Sequence, residues 1–193
     1  MIPTLNHPLG MPYGRHLQYL ESTGTQYIDT GVAPDFAGGD SVEIRYFAPT
    51  YTTPLAPCIF GSRESGIRNG VYLLPISFSP ADSEGFSTIS YNFTGNNVFT
   101  ATDAVVKLND LSFAMPRRVT CGLPIFLFAL NNYGTGTYGI YAGMKLYDWK
   151  YYRNGMLAQH LIPVLDKSGV PCLYDTVTRT FKYNAGTGTF DYA

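Results

Sequence analysis

Side chains able to do chemistry are few in this chain, and they are scattered. Histidine occurs only at His7, His16 and His160, cysteine only at Cys58, Cys121 and Cys172, and 14 aspartates and glutamates are spread over 193 residues. Glycoside hydrolysis needs paired carboxylates across a cleft, one donating a proton and the other acting as nucleophile or base. Glu43 has no acidic partner two residues away in Val42-Glu-Ile-Arg-Tyr46, and Asp148 stands among aromatic residues. A Ser-His-Asp or Cys-His relay fares no better. His7 and His16 belong to a proline-rich N-terminal stretch, and His160, in Ala158-Gln-His-Leu161, reads as a partly exposed strand residue. No glycine-rich loop opens a helix, which removes nucleotide binding. The odd number of cysteines, without Cys-x-x-Cys spacing, reads as buried free thiols in a reduced compartment, with a disulfide or a metal site as the alternatives. A protein without enzymatic activity is expected.

Recognition is the chemistry that remains. Sugar sites on β-sheet proteins use exposed aromatic rings to stack on a pyranose and nearby amides to bond its hydroxyls. The run Asn131-Asn-Tyr-Gly-Thr-Gly-Thr-Tyr-Gly-Ile-Tyr141 carries both, and Tyr51 offers a further ring. Tyr51, Asn131, Asn132, Tyr133, Tyr138 and Tyr141 are therefore the candidate glycan-binding residues; the competing reading is that tyrosine is simply a good strand residue. A formal net charge of −1 without a basic run leaves no footprint for nucleic acid or an anionic membrane. No segment approaches transmembrane length, and Met1 to Gly10 lacks the charged and apolar regions of a secretory leader. The protein is expected to be made in a cytoplasm and to stay there or leave by another route, such as release in a virion.

The elements that must position these residues are strands. A hydrophobic content of 45% is ample for a core, and 193 residues suit a single all-β domain. Ser41 to Ala48 alternates, with Val42, Ile44 and Tyr46 on one face and Glu43, Arg45 and Phe47 on the other. Further strands are expected over Leu17–Leu20, Thr25–Thr30, Cys58–Ser62, Gly70–Ser79 and Gly85–Phe93, with two more within Val98–Phe113. Ile125-Phe-Leu-Phe128 reads as a central strand buried on both faces. Met144 to Tyr152 slips phase between Leu146 and Trp149, as a β-bulge requires. Asn154-Gly155 is a type I′ hairpin signal, and Val177–Thr180 and Asn184–Gly188 read as further turns. Burial is expected for Phe126, Phe128, Leu146 and Trp149. Helical periodicity is nowhere convincing, so the fold expected is a two-sheet antiparallel sandwich.

Residues 1 to 16 stand apart. Pro3, Pro8 and Pro12 with Gly10 and Gly14 make an extended arm, and residues 17 to 193 make the sandwich. The arm is either a frayed tail or a tether that buries Ile2, Leu5, Leu9 and Met11 in a neighbouring subunit.

Two stretches resemble a known family. Tyr19-Leu-Glu-Ser-Thr-Gly-Thr-Gln-Tyr-Ile-Asp-Thr-Gly31 is similar to the opening motif of laminin-G-like, concanavalin-A-type jelly-roll modules. Ile162-Pro163, Leu173-Tyr-Asp175 and Asn184-Ala-Gly-Thr-Gly188 before Phe190 resemble their closing signature. The chain departs at Gln159-His160, where such modules usually carry Arg-Asp. These modules occur in surface proteins of gut bacteria and in structural proteins of their phages. The resemblance implies a concanavalin-A-like jelly roll in a non-enzymatic phage virion protein, a head decoration or fibre subunit that adheres to glycans. The alternative is a bacterial lectin-like carbohydrate-binding or adhesion module at the cell surface. Its partners would be other virion proteins or copies of itself, met through the arm, and host-surface or mucin glycans. No cofactor is expected. Calcium is open, since relatives of this kind hold one through Asp and Asn oxygens; Asp29, Asp35, Asp40, Asp103, Asp110 and Asp175 lie in loops, Asp29 and Asp175 reading as turn caps.

Overall fold

The computed structural model describes residues 10–51, 57–64, 69–82 and 84–193. Strands follow one another as β1 (Arg15–His16), β2 (Leu20–Glu21), β3 (Ile28–Asp29), β4 (Ser41–Ala48) and β5 (Phe60–Arg63). Next come β6 (Gly70–Leu74), β7 (Ser77–Asp82), β8 (Gly85–Phe86), β9 (Ile89–Ser90) and β10 (Gly95–Ala101). After them lie β11 (Val105–Leu108), β12 (Leu111–Ala114), β13 (Phe126–Leu127), β14 (Leu130–Asn132) and β15 (Thr137–Tyr138). The chain closes through β16 (Lys145–Arg153), β17 (Met156–Leu165), β18 (Pro171–Asp175), β19 (Thr180–Lys182) and β20 (Asp191–Tyr192). Among the described residues there is no helix.

Two sheets form. The larger runs β12-β11-β10-β4-β16-β17-β18-β19, with β1 beside β17 and β2 between β16 and β20. The smaller runs β15-β14-β5-β6-β7-β8, with β13 joining β3 to β5 and β9 beside β7. Pairing is antiparallel except between β14 and β5, which are parallel. The fold is thus an all-β sandwich, as expected. Val42, Ile44, Tyr46 and Ala48 of β4 are buried while Arg45 is exposed, so the alternation points its apolar set at the other sheet. Aromatic rings fill the space between: Phe60 of β5 lies 5.4 Å from Trp149 of β16 and 5.8 Å from Phe99 of β10. Phe78 of β7 meets Phe99 at 5.2 Å. Tilted and edge-on rings at these separations hold the two sheets in register.

Several local expectations hold. β16 slips register against β4 between Leu146 and Asp148, and Asn154 and Gly155 turn the β16–β17 hairpin with φ of 48° and 76°. Asp29 Oδ1 accepts the Gly31 N–H at 2.8 Å. Buried Asp175 accepts the backbone N–H groups of Val177 and His160 and the Thr178 hydroxyl. Both cap their turns.

Other expectations need correction. Ile125 to Phe128 is a central strand over two residues only, Phe126 and Leu127 lying between β3 and β5. Only Phe126 and Leu127 pair, and Phe128, with φ of 69°, reverses the chain into β14. Phe126 is consequently half-buried, its ring 4.8 Å from that of Tyr27, while Ile125, Leu127 and Phe128 are buried. Gly70 to Ser79 is a hairpin turning at Pro75-Ile76. Gly85 to Phe93 breaks into two short strands because it lies along the rim with only β7 to pair with, so Phe93 is buried while Tyr91 is 43% exposed.

The boundary expected at residue 16 also shifts. Arg15 and His16 pair with Leu165 and Val164, the Gly14 N–H bonds the Leu165 carbonyl at 2.8 Å, and the Tyr13 ring lies 5.3 Å from that of Tyr174. The last residues of the arm are therefore part of the sandwich. Met11 is 45% exposed; Ile2, Leu5 and Leu9 lie outside the described residues.

The stretches that carried the resemblance interlock. Thr187 N–H donates to the Thr25 carbonyl at 3.1 Å, Thr25 Oγ1 to the Thr187 carbonyl at 2.8 Å, and Ala185 N–H to the Tyr27 carbonyl at 2.9 Å. Gly186 must be glycine, since a Cβ there would sit 2.1 Å from the Thr25 carbonyl oxygen.

Candidate functional site

The solvent face of the larger sheet carries a connected set of charged and polar side chains. Its register sets the arrangement: Lys150 on β16 stands between Glu43 on β4 and His160 on β17. The Lys150 ammonium lies 2.7 Å from Glu43 Oε1 and 3.9 Å from Asp148 Oδ2. Its pKa is held above the ordinary value, first by the hydrogen bond to Glu43, against the opposing pull of burial. Asp148 Oδ1 meets His160 Nε2 at 2.9 Å, and His160 Nδ1 meets Thr176 Oγ1 at 3.1 Å. Asp148 is thus not isolated among aromatic residues as its sequence context suggests. The strand register brings His160 to it from 12 residues away.

A hydroxyl, an imidazole and a carboxylate in line have the outline of a nucleophilic relay. The surroundings do not complete one. The N–H groups of Thr176, Val177 and Arg179, which could cradle an oxyanion, are bonded to the His160 carbonyl, Asp175 Oδ1 and the Asp175 carbonyl. Glu43 and Asp148 both face the Lys150 ammonium.

Further along the same face the β16 bulge acts on function. Strict alternation would turn either Tyr147 or Asp148 inward; with the extra residue, both stay outside while Leu146 and Trp149 are fully buried. Tyr147 then walls a cleft of about 240 Å³ whose other lining residues are Arg45, Tyr46, Asn96, Asn97, Val98 and Asn109. A second depression, about 430 Å³, shares Asn97 and Asn109 and continues to Tyr91, Asn92, Asp110 and Leu111. The amides are fixed rather than loose. Asn97 Nδ2 donates to the carbonyls of Phe93, Thr94 and Gly95, and its Oδ1 accepts from Asn109 Nδ2 at 2.9 Å. Asn109 Oδ1 accepts the Val98 N–H, and Asn96 Oδ1 accepts the Tyr147 hydroxyl at 3.3 Å. The Tyr147 ring is held edge-on to Tyr19, centroids 6.1 Å apart.

The residues singled out from sequence lie elsewhere, Asn131, Asn132, Tyr133 and Tyr138 in the β14–β15 hairpin at one end of the smaller sheet and Tyr51 and Tyr141 outside it. Tyr141 is buried, its hydroxyl bonded to the Pro49 carbonyl, and burial pushes its phenol pKa upward. Asn131 is buried too, its amide bonded to the Pro124 carbonyl and the Gly134 N–H. Asn132 accepts from Arg63 at 2.8 Å, and that guanidinium also lies over the Tyr133 ring at 4.5 Å. Tyr51 is half-buried against the core. Only Tyr133 and Tyr138, at 40% and 41% exposure, present ring surface to solvent. The motif does not bring its six residues together as one sugar site. The sheet-face cleft left one trace in sequence, the phase slip that places Tyr147; Asn96 and Asn109 left none, because an isolated asparagine in a strand or turn carries no signal of what it faces.

Among the described residues, no group of three or more His, Cys, Asp or Glu side chains is arranged to hold a metal ion. Asp40, one of the loop aspartates, is engaged by the Tyr151 hydroxyl and the Asp35 N–H. No protein-family model, curated protein or solved structure matches the chain.

Proposed function

We propose that the chain is a non-enzymatic display module that binds glycans on the solvent face of its larger sheet. The carrying observation is the cleft lined by Tyr147 and oriented amides, beside a second depression that shares Asn97 and Asn109 and reaches Tyr91. A ring to stack on a pyranose and fixed amides to meet its hydroxyls are what sugar recognition needs. The resemblance of the two chain ends supplies the setting: a phage particle, as head decoration or fibre subunit, with a bacterial cell-surface adhesion module as the alternative. In the virion setting, residues 1–12 are the part left to meet neighbouring subunits or further copies of the chain.

A glycan array tests the reading. Wild-type protein should bind a subset of host-surface or mucin glycans without releasing reducing sugar. Tyr147→Ala should lose that binding with an unchanged melting temperature, while Tyr138→Ala should retain it. Loss on Tyr138→Ala alone would move the site to the β14–β15 hairpin, and release of sugar that Asp148→Asn abolishes would make the protein a hydrolase.

A further inference from the structure

Resting on that reading, we infer that the cleft is built for an acidic glycan, with Arg45 as the anchor for a sugar carboxylate. Several charged side chains on this face are matched: Glu43 with Lys150, Asp148 with Lys150 and His160, Lys145 with Glu21 at 3.5 Å. Arg45 is the exception in the cleft. Asp148 is its cross-strand neighbour, yet the two Asp148 oxygens engage His160 and Lys150. Among the described residues no ion pair or hydrogen bond engages the Arg45 guanidinium, which is exposed at the lip of the depression.

The surrounding amides point the same way. Each Asn side-chain oxygen in the cleft already accepts one bond from within the protein: Asn96 from Tyr147, Asn97 from Asn109, Asn109 from the Val98 N–H. The donors left to meet a ligand include the Asn96 amide hydrogens and the guanidinium. A carboxylate only accepts, and the planar guanidinium fork matches its two oxygens side by side. The second depression, sharing Asn97 and Asn109, gives room for the next sugar unit beyond Asn109. An acidic oligosaccharide therefore lies across the two, its charged unit at Arg45 and its neighbour toward Tyr91.

Matched ligand pairs test this with the intact chain. Titration calorimetry with oligogalacturonate against its fully methyl-esterified form, and with sialyllactose against lactose, should show at least one acidic member binding about ten- to hundred-fold more tightly than its neutral match. Arg45→Gln should erase that difference with an unchanged melting temperature. Arg45→Lys, which keeps charge and loses the fork, should recover only part of it. Equal affinity within every pair, or an acidic preference that survives Arg45→Gln, would overturn the inference while leaving the glycan-binding proposal standing. A preference for sulfated over carboxylated sugars that depends on Arg45 would also overturn the carboxylate assignment. Absence of binding to every glycan, neutral or acidic, would overturn both.

Discussion

Tyr141 and Tyr147 show what burial does to one residue type. Both lie in tyrosine-rich stretches, yet Tyr141 is a core residue bonded to the Pro49 carbonyl and Tyr147 walls the cleft. Residue type does not separate them; Tyr141 lies in the loop before β16, packed into the core, and Tyr147 lies at the β16 bulge, turned outward. Buried ionisable groups also set the response to alkali. Burial pushes the Cys172 thiol from 9.0 up to about 12, and it raises Cys58, Tyr46 and Tyr151 in the same direction. These groups stay protonated in the folded state at a pH where the unfolded chain has begun to lose its protons. Above the ordinary thiol value the unfolded state therefore binds fewer protons, and stability falls as pH rises. Melting temperatures should be level from about pH 7 to pH 8 and then drop progressively through pH 11, across the ordinary thiol and phenol range. Cys172→Ala should shallow the early part of that drop. A melting temperature that rises between pH 9 and pH 11 would contradict the assignment.

At the scale of elements, the turns were the most legible features. Asn154-Gly155 makes its hairpin because both residues take positive φ, a property of the dipeptide itself. The bulge in β16 was legible for a related reason: apolar residues must return to the core, so a phase slip in the pattern is a slip in the backbone. Ile125 to Phe128 misled because four apolar residues in a row satisfy any element buried on all sides, and here a reversal at Phe128 serves as well as a strand. The Asn184–Gly188 turn carries a testable demand. Gly186→Ala forces a Cβ to 2.1 Å from the Thr25 carbonyl oxygen, so the two chain ends must separate. We expect a loss of about 1–3 kcal/mol in urea denaturation. Gly136→Ala, where a Cβ meets nothing within 4 Å, should change stability by less than about 0.5 kcal/mol. Equal effects would show that the interlock is not tight.

For the molecule as a whole, the aromatic cluster and the paired chain ends make one cooperative unit. Trp149 is fully buried, donates to Gln159 at 3.2 Å, and touches Phe60 of the opposite sheet. The N-terminal segment joins this unit from Tyr13 onward. Deleting residues 2 to 12 should leave the melting temperature unchanged, whereas extending the deletion through His16 should lower it by several degrees. That second deletion removes β1 and uncovers Tyr174, whose ring neighbours include Tyr13 at 5.3 Å and Phe181 at 5.1 Å. A full deletion that melts like the intact chain would return the boundary to residue 16. Taken alone, the sequence determined the all-β class, most turns, the buried Trp149 and the lack of an acid pair at close spacing, since each follows from patterns a few residues long. Tertiary structure decided which tyrosines are core and which are surface, the partners of Asp148 and His160, and the cleft at Arg45. Those depend on cross-strand register, in which Arg45 faces Val98 on one side and Asp148 on the other. Register is set by the packing of whole sheets, so residues far apart in the chain become neighbours without any trace in the sequence between them.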